Sequence, residues 1–275
     1  MTQTSLAPDP RRMASTDAIR VAVSTVIFTV RRAPGEASAR LMMPLVRRTR
    51  EPHEGLWALP GGWLDAGEGL DAAASRTLAE TTGLTPSYLE QLYAFGDVDR
   101  SPTRVVSIVY WALLRADDVD AQRAAHEAAG DAPENVAWFD AGAPGVLAFD
   151  HNEIVSYALW RLRNKVGYSR IAHGLLSELF TLADLREVYE AILDRRLDPA
   201  NFRRQVENSG TLIPTDRFRT GSHRPARLYR YNQDVELADR GPLSPSAAEL
   251  STLGACPPET VAGGARRPSP ESSTS

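Results

Sequence analysis

A run of polar residues in the C-terminal half has the types and spacing of a surface that reads nucleic acid. On a helical wheel of residues 199–209, Phe202 and Val206 point in one direction. The residues that lie opposite or beside this pair are Asn201, Arg203, Arg204 and Asn208. Arginine can bind guanine or phosphate through a fork of donors, and asparagine can pair with adenine. We therefore predict a helix that enters the major groove and contacts DNA with these four side chains.

Cations are also concentrated in the segment that follows. Residues 212–215 and 225–231 are predicted to form two strands of a hairpin around a polar tip. The hairpin carries side chains suited to phosphates or to the minor groove, namely Arg217, Arg219, His223, Arg224 and Arg227. Residues 195–231 hold nine arginines against three acids, a local charge of +6, in a protein of net charge −4. Charge alone fits a polyanion partner and a solvated face equally, but helix and hairpin together favour nucleic acid over protein contacts.

A second motif lies in the N-terminal half, from Gly55 to Leu84. Its members stand at fixed spacings: Gly62, Glu68, Arg76, Leu78, Glu80, Gly83 and Leu84. The pattern resembles the Nudix box, G-x5-E-x7-R-E-U-x-E-E-x-G-U with U aliphatic, and the preceding Leu-Pro-Gly-Gly is the usual lead-in of that family. The resemblance implies a Nudix fold, in which a mixed sheet lies between helices.

The resemblance also identifies what this box lacks. In the Nudix family, glutamates four residues apart on the box helix bind Mg²⁺, which polarises a diphosphate and activates water. Thr77 and Thr81 stand at those two positions, and neutral hydroxyls bind a dication weakly. Glu80 remains alone, whereas Glu68 and Arg76 are expected to brace the loop against the helix. We expect no metal, no cofactor and no catalytic residue, but a domain that binds a nucleotide diphosphate without cleaving it.

Seven residues around the box are candidate contacts to such a ligand: Arg47, Arg48, Trp57, Gly61, Gly62, Asp97 and Arg100. The adjacent arginines end a strand that leads toward the pocket, and the adjacent glycines allow close approach of a backbone. The tryptophan is equally suited to stacking on a base and to filling the core. The last two residues lie in a run that resembles a segment of ADP-ribose-type Nudix proteins, although an ordinary polar turn explains them equally well.

The elements that must position the Nudix-like box and its pocket form a mixed α/β pattern. Strands are predicted over residues 22–30, 40–46, 92–95, 105–114 and 136–139. Residues 69–82 have the composition of a helix that Gly83 closes. Asp150 and Glu153 form a capping signature for another helix, which runs to Lys165 and beyond.

The C-terminal part is predicted to contain three helices followed by the hairpin. The first helix covers residues 169–179. Thr181 with Asp184 caps the second. Asp198 begins the third, and Gly210 ends it in a left-handed conformation.

The whole chain resembles the Nudix-related transcriptional regulators of NAD biosynthesis. The stretches that carry the resemblance are LAFDHNEI, FTLADLREVYEAIL, LDPANFRRQVENSG and RPARLYRY, between residues 147 and 231. It spans residues 19–232 and implies an α/β Nudix fold followed by a winged helix-turn-helix domain. It also implies a homodimeric repressor on palindromic, double-stranded operator DNA near genes of NAD metabolism, with ADP-ribose or a related NAD metabolite as effector.

The expected organisation has five parts: a disordered leader at 1–18, a Nudix-like effector-binding domain at 19–149, a linker helix at 150–167, a winged helix domain at 168–232 and a disordered tail at 233–275. No run approaches the ~18 apolar residues that a membrane span needs, and the first residues contain no apolar signal segment. The single cysteine, Cys256, fits a reducing compartment. We expect a cytoplasmic protein with no membrane contact.

Two other classes of function remain open. The chain could be a working Nudix hydrolase of the ADP-ribose diphosphatase type with a basic accessory domain, and Thr77 and Thr81 argue against it. It could also be a nucleotide-binding adaptor whose winged helix binds protein. Salt-sensitive binding to duplex DNA would separate the adaptor from a repressor.

Overall fold

The computed structural model describes residues 18–32, 35–86, 89–166, 171–220 and 225–232. The predicted leader, apart from Ala18, and the predicted tail lie outside the described residues, as do His223 and Arg224. Each helix in the described ranges is too short or too polar to cross a lipid bilayer.

A mixed sheet, seven-stranded within the described residues, organises the N-terminal domain. Its strands are β1 (Arg20–Arg31), β2 (Arg40–Arg47), β3 (Trp57–Ala58), β4 (Gly61–Trp63), β5 (Glu90–Phe95), β6 (Val105–Leu113) and β7 (Val136–Asp140). The main order is β3-β2-β1-β6-β5, with β4 beside β1 and β7 beside β2. Strands β1 and β6 are parallel, whereas the other pairs are antiparallel. The central strand β1 is buried on both faces, which explains its long aliphatic run.

Helices cover both faces of this sheet. Helices α1 (Leu70–Thr82) and α2 (Ala116–Ala129) lie on one face, and α3 (His151–Val166) lies on the other. Alternate side chains of a strand point to opposite faces. Ile27 of β1 therefore packs in the cluster that contains α1, and Phe28 packs in the cluster that contains α3. The predicted mixed sheet between helices is confirmed, while α2 is an element that the sequence pattern did not predict.

The C-terminal domain is a helix-turn-helix followed by a two-stranded wing. It contains α4 (Leu182–Leu193), α5 (Pro199–Asn208), β8 (Leu212–Arg219) and β9 (Ala226–Tyr231). The predicted ends are confirmed. Thr181 and Asp184 form a capping box at α4, and Asp198 accepts the backbone N–H of Asn201 at 2.7 Å. Gly210 follows α5 with a φ of 69°.

The helix predicted over residues 169–179 is wrong for the part of that range that the structure describes. A 3₁₀ turn over Ile171–Leu175 stands there instead. Two interactions with distant residues exclude a longer helix. Phe180 exchanges two backbone hydrogen bonds with Tyr229 of β9, of 3.1 and 2.8 Å, so the chain is already extended there. Gly174 lies so close to Leu113 that an added Cβ would stand 3.0 Å from the Leu113 Cβ.

Helix α3 connects the two domains through a shared core. Leu162 and Val166 of α3 belong to the same buried cluster as Val188 and Ile192 of α4. The Nε of Arg163 donates to the carbonyl oxygen of Ile192 at 3.1 Å. The first turn of α3 lies at the Nudix loops, so one helix reaches from those loops to the helix-turn-helix.

Candidate functional site

The glycines of the box loop are packed against the protein itself. A Cβ on Gly61 would stand 2.4 Å from the carbonyl oxygen of Val23, and one on Gly62 would stand 2.8 Å from the Cγ2 of Thr77. Strand β4 needs this space to pair with β1 and to pass over the box helix α1. Both glycines are therefore needed for packing within the protein, and close approach of their backbone to a ligand stays a prediction.

Arg76 forms hydrogen bonds with two acidic side chains of the box. Its guanidinium donates to both oxygens of Glu68, to Glu80 at 3.1 Å and to the carbonyl oxygen of Trp63 at 3.1 Å. These bonds hold the pKa of the Glu68 carboxyl below its usual range and raise that of Arg76. The expected bracing of loop against helix by Glu68 and Arg76 is what the geometry shows.

The box does not fit a magnesium ion. The Thr77 side chain is buried, and its hydroxyl donates toward the carbonyl oxygen of Ala74 at 3.4 Å. The hydroxyl of Thr81 donates to the carbonyl oxygen of Thr77 at 2.6 Å. Both hydroxyls are thus directed into the helix backbone, and Glu80 is paired with Arg76. A hard dication prefers several carboxylate or carbonyl oxygens that are free to face it, and these side chains do not supply them.

A cationic and aromatic cluster lies where β2 leads into the loop before β3. The guanidinium carbon of Arg48 is 4.7 Å from the ring centroid of Phe149, and the His53 ring is 4.8 Å from the same ring. Arg48 donates to the carbonyl oxygens of Pro52 and Arg50, and partial burial lowers its pKa. Arg48 was predicted from the sequence, whereas His53 and Phe149 were not. The only signal for Phe149 was its place in LAFDHNEI.

Three other candidate ligand contacts have different surroundings. Arg47 is exposed, and its Nε donates to the carbonyl oxygen of Gly55 at 3.3 Å. Trp57 packs edge-on against Phe139, with ring centroids 5.0 Å apart, and joins the main core, which favours the core-filling role for it. Asp97 is exposed, and its backbone carbonyl lies 3.5 Å from an Nη1 of Arg104.

Arg100 is held by a buried carboxylate. Its Nε and Nη2 donate to the two oxygens of Asp150, both at 2.7 Å, and its Nη1 donates to the hydroxyl of Ser107 at 2.7 Å. The side chains of Arg100 and Asp150 are only 6% and 13% exposed. Helix α3 begins where predicted, but the Asp150 carboxylate that we expected to cap it binds Arg100 instead. The long-range ion pair uses both carboxylate oxygens.

His151, directly after Asp150, holds the box loop. Its Nδ1 accepts the backbone N–H of Leu59 at 2.9 Å. The ring is 7% exposed, and burial lowers its pKa to about 4, so it is neutral near pH 7. Two consecutive residues therefore connect the start of α3 with the β5–β6 loop and with the segment that leads into Gly61.

The recognition-type helix α5 has the two faces that the wheel predicts. Phe202 and Val206 are buried, and the Phe202 ring lies 5.5 Å from Tyr189 of α4. The residues on the outer side are exposed: Asn201, Arg203, Arg204 and Asn208. Arg204 donates to the Asn201 side-chain oxygen at 2.7 Å, and the Nε of Arg203 donates to Glu207 at 2.9 Å.

The wing cations differ in their partners. Arg219 donates to Asp184 at the start of α4 at 2.9 Å, which ties β8 to the helix-turn-helix. Arg227 donates to the carbonyl oxygen of Thr215 at 2.8 Å. Arg217 is exposed on β8. Phe218 is 54% exposed beside it and was not among the predicted contacts.

Comparison with protein families assigns both halves of the chain. A model described as the NUDIX domain matches residues 20–157, and one described as the NrtR DNA-binding winged helix domain matches residues 172–231.

Individual proteins give a consistent result. The "ADPR responsive transcriptional repressor NtrR" of Acinetobacter baylyi is 35% identical over 197 residues, which is 70% of this chain and 76% of that protein. The crystal structure of Shewanella oneidensis NrtR complexed with a 27mer DNA has a TM-score of 0.64 and 35% identity, covering 78% of this chain and 94% of that one. An ADP-ribose pyrophosphatase of Methanocaldococcus jannaschii is 33% identical over 119 residues, 42% of this chain and 66% of that protein.

The buried His151 predicts a loss of stability in acid. Its folded-state pKa is about 4, whereas an imidazole in the unfolded chain titrates near 6.5. The unfolded chain thus binds a proton that the folded chain does not. The free energy of unfolding should fall as the pH drops from about 6.5 to about 4, by about 3 kcal/mol from this group.

Urea unfolding at several pH values within this window checks the prediction. The matched variant is His151→Asn, because an amide oxygen can accept the same Leu59 N–H without titrating. Its stability should decline less over the same window. An equally steep decline in both proteins would show that His151 is not the group responsible.

Proposed function

The chain belongs to the Nudix family and carries a winged helix of the NrtR type, and on that premise we propose that it is a transcriptional repressor. The winged helix binds operator DNA and the Nudix domain binds ADP-ribose. The bound metabolite lowers the affinity of the protein for DNA. ADP-ribose is NAD without its nicotinamide, which favours genes of NAD metabolism as targets. The observation that carries the proposal is the polar face of α5 on a packed helix-turn-helix.

In the proposed function, α5 contacts the bases of the operator and the wing contacts its phosphates. A helix fits the major groove, where an arginine fork can pair with guanine and an amide with adenine. The proposed contacts are Asn201, Arg203, Arg204, Asn208, Arg217, Arg219, His223, Arg224 and Arg227. The relative of known structure was crystallised with DNA, which supports a nucleic-acid partner for the matching winged helix.

In the proposed function, the cluster of Arg48, His53 and Phe149 binds the nucleotide effector. A guanidinium beside aromatic rings suits a ligand that combines a diphosphate with a base, because the cation binds phosphate oxygens and a ring stacks on adenine. Arg47 extends from the end of the same strand and is a second candidate for the diphosphate. The A. baylyi relative is ADPR responsive, which favours this ligand over other nucleotides.

The other candidate residues serve the same pocket in different ways. The exposed carboxylate of Asp97 suits a ribose hydroxyl. Trp57, Gly61 and Gly62 shape the pocket through packing, and Arg100 supports it through Asp150. In this assignment only Asp97, of these five residues, touches the ligand.

A symmetric operator requires two recognition helices. One copy of the chain supplies one such helix, α5. The half-sites of a palindrome lie about 34 Å apart. We therefore include a homodimer in the proposal, since a two-fold axis places two copies of α5 on successive major-groove faces. A repressor must also reach DNA, so the proposed location is the cytoplasm.

We expect no Mg²⁺-dependent hydrolysis of ADP-ribose by the purified protein. Thr77 and Thr81 direct their hydroxyls into the helix backbone, and Arg76 holds Glu68 and Glu80, so carboxylates that could hold the metal and activate water are absent from these positions. Formation of the two products of diphosphate cleavage, AMP and ribose 5-phosphate, should stay far below the ~1–10³ per second of ordinary enzymes.

The positive control is the ADP-ribose pyrophosphatase of M. jannaschii under the same conditions. The likeness to that protein is the observation that favours the alternative function, a working hydrolase with a basic accessory domain. Turnover comparable to that of the control would establish this alternative and would exclude a domain that binds ADP-ribose without cleaving it.

Operator affinity measured against metabolites tests the proposed function. The purified chain selects fragments of genomic DNA, and the selected duplex is then titrated at fixed salt with ADP-ribose, NAD, nicotinamide mononucleotide and ATP. ADP-ribose should weaken operator binding roughly 5- to 150-fold, the usual range of allosteric coupling. Salt-insensitive or absent duplex binding would favour a protein-binding adaptor, and an effector that leaves affinity unchanged would leave only a constitutive DNA-binding protein.

Arg204→Ala should weaken operator binding roughly 5- to 150-fold and relax the choice of sequence, because one bidentate base contact contributes about 1–3 kcal/mol. Arg123→Ala is the matched control, since this arginine is also exposed but lies on α2 of the Nudix domain. Fluorescence anisotropy on operator and scrambled duplexes measures both effects. Equal affinities for the two variants would exclude α5 as the reading helix.

A further inference from the structure

Two consecutive residues at the start of α3 hold two different loops. Asp150 binds Arg100 of the β5–β6 loop through both carboxylate oxygens, each at 2.7 Å. The Nδ1 of His151 accepts the N–H of Leu59 at 2.9 Å, just before the box loop. The side chains of Arg100, Asp150 and His151 are almost entirely shielded from water. If either loop moved without α3, its contact would break and leave a polar group without its partner in a poorly solvated place.

Each loop is fixed to the sheet as well as to α3. Arg100 donates to Ser107 of β6 at 2.7 Å, and the carbonyl oxygen of Pro60 accepts the N–H of Thr25 of β1 at 2.8 Å. The neighbouring Phe149, with a positive φ of 55°, packs against Arg48 and His53 in the proposed nucleotide cluster. The first turn of α3 is therefore adjacent to the place where a nucleotide would bind.

The far end of α3 contacts the helix-turn-helix. Arg163 donates to the carbonyl oxygen of Ile192 near the end of α4 at 3.1 Å, and Leu162 packs in the same cluster as Val188. Tyr189 of α4 in turn packs against Phe202 of the reading helix at 5.5 Å. A helix of 16 residues spans about 24 Å and moves as a rigid element.

We propose that the Asp150–Arg100 and His151–Leu59 contacts transmit effector binding to the winged helix. Asp150 and His151 are positioning residues, which touch neither the nucleotide nor DNA. When a ligand moves the two loops, the contacts move the first turn of α3, and α3 moves α4 and α5. The inference rests on the proposed function, in which ADP-ribose changes operator affinity.

The test separates coupling from each binding reaction. Three quantities are measured on the full chain: affinity for ADP-ribose without DNA, affinity for the selected operator without effector, and operator affinity at saturating ADP-ribose. The variant His151→Leu removes the acceptor for Leu59, and His151→Asn retains it. The double variant Arg100→Met with Asp150→Leu replaces the buried ion pair with apolar side chains of similar size, a change that folded proteins often tolerate.

In His151→Leu, both single affinities should stay within about threefold of the wild type. The double variant removes Arg100, which supports the pocket, so only its affinity for the operator without effector should stay within that range, and its response is measured at an ADP-ribose concentration that saturates this variant. The weakening of operator binding by ADP-ribose should fall below about twofold, from the roughly 5- to 150-fold expected for the wild type. His151→Asn should retain the wild-type response. A full response in both variants overturns the proposal. Loss of operator affinity in either folded variant, or loss of ADP-ribose affinity in folded His151→Leu, also overturns it.

Hydrogen exchange of the wild-type protein supplies a second readout that does not depend on the folding of any variant. ADP-ribose should change amide protection at 59–62, at 96–104 and along α3. An operator response with unchanged protection along α3 contradicts the proposed route. If the wild type binds no ADP-ribose, or its operator affinity does not respond, the proposed function itself fails, and this result is distinct from the others.

Discussion

The packing of α3 between the sheet and the winged helix is the constraint on which the arrangement of the protein depends. Ile154 and Ala158 of this helix lie in the same buried cluster as residues of β1 and β6, and Leu162 and Val166 of its last turns lie in that cluster with the core of α4. Apolar surface of this kind is removed from water only while both domains stay in place. The two domains therefore share one hydrophobic cluster, and a change in the position of α3 must be accommodated by both.

The Nudix box remains folded because its charges are neutralised within the protein. Arg76 binds Glu68 through two bonds and Glu80 through a third, and Tyr110 donates to Asp71 at 2.6 Å from the neighbouring strand. Paired carboxylates need no dication to offset their charge. Thr77, smaller than a glutamate and without its charge, fits beneath Gly62, and the loop can lie directly on the helix. Thr77 thus contributes to the packing of the loop on the box helix.

Sequence patterns predicted the elements whose signals are local. The aliphatic run of β1, the capping box at Thr181 and the Asp198 start of α5 were all found where expected. Helix α2 was missed because only Val119 among its residues is buried, so it has no apolar stripe to detect. Its alanines and the left-handed Gly130 at its end were the available signals.

Contacts between distant residues were the part that sequence could not supply. A 3₁₀ turn stands where a helix was predicted, and the pairing of Phe180 with Tyr229 makes the chain extended directly after it. Arg100 took the carboxylate that was expected to cap α3. The same limit applies to the site. Residue type identified Arg48 as a cation near the pocket, but the Phe149 ring beside it comes from a distant segment of the chain.

The acidic partners of the DNA-binding surface explain how a strongly basic domain can remain selective. Arg203 is paired with Glu207, and Arg219 is paired with Asp184, all at exposed or half-exposed positions. Exposed pairs of this kind contribute about 0–1 kcal/mol, so a phosphate or a base can displace the acid at little cost. Until then the pairs reduce the free positive charge that would bind any DNA through counterion release. Arg204, by contrast, donates to a neutral amide, Asn201, which orients its guanidinium without offsetting the positive charge. In the proposed function, the wing and the flank of α5 therefore add affinity after docking, and Arg204 selects the sequence at which docking occurs.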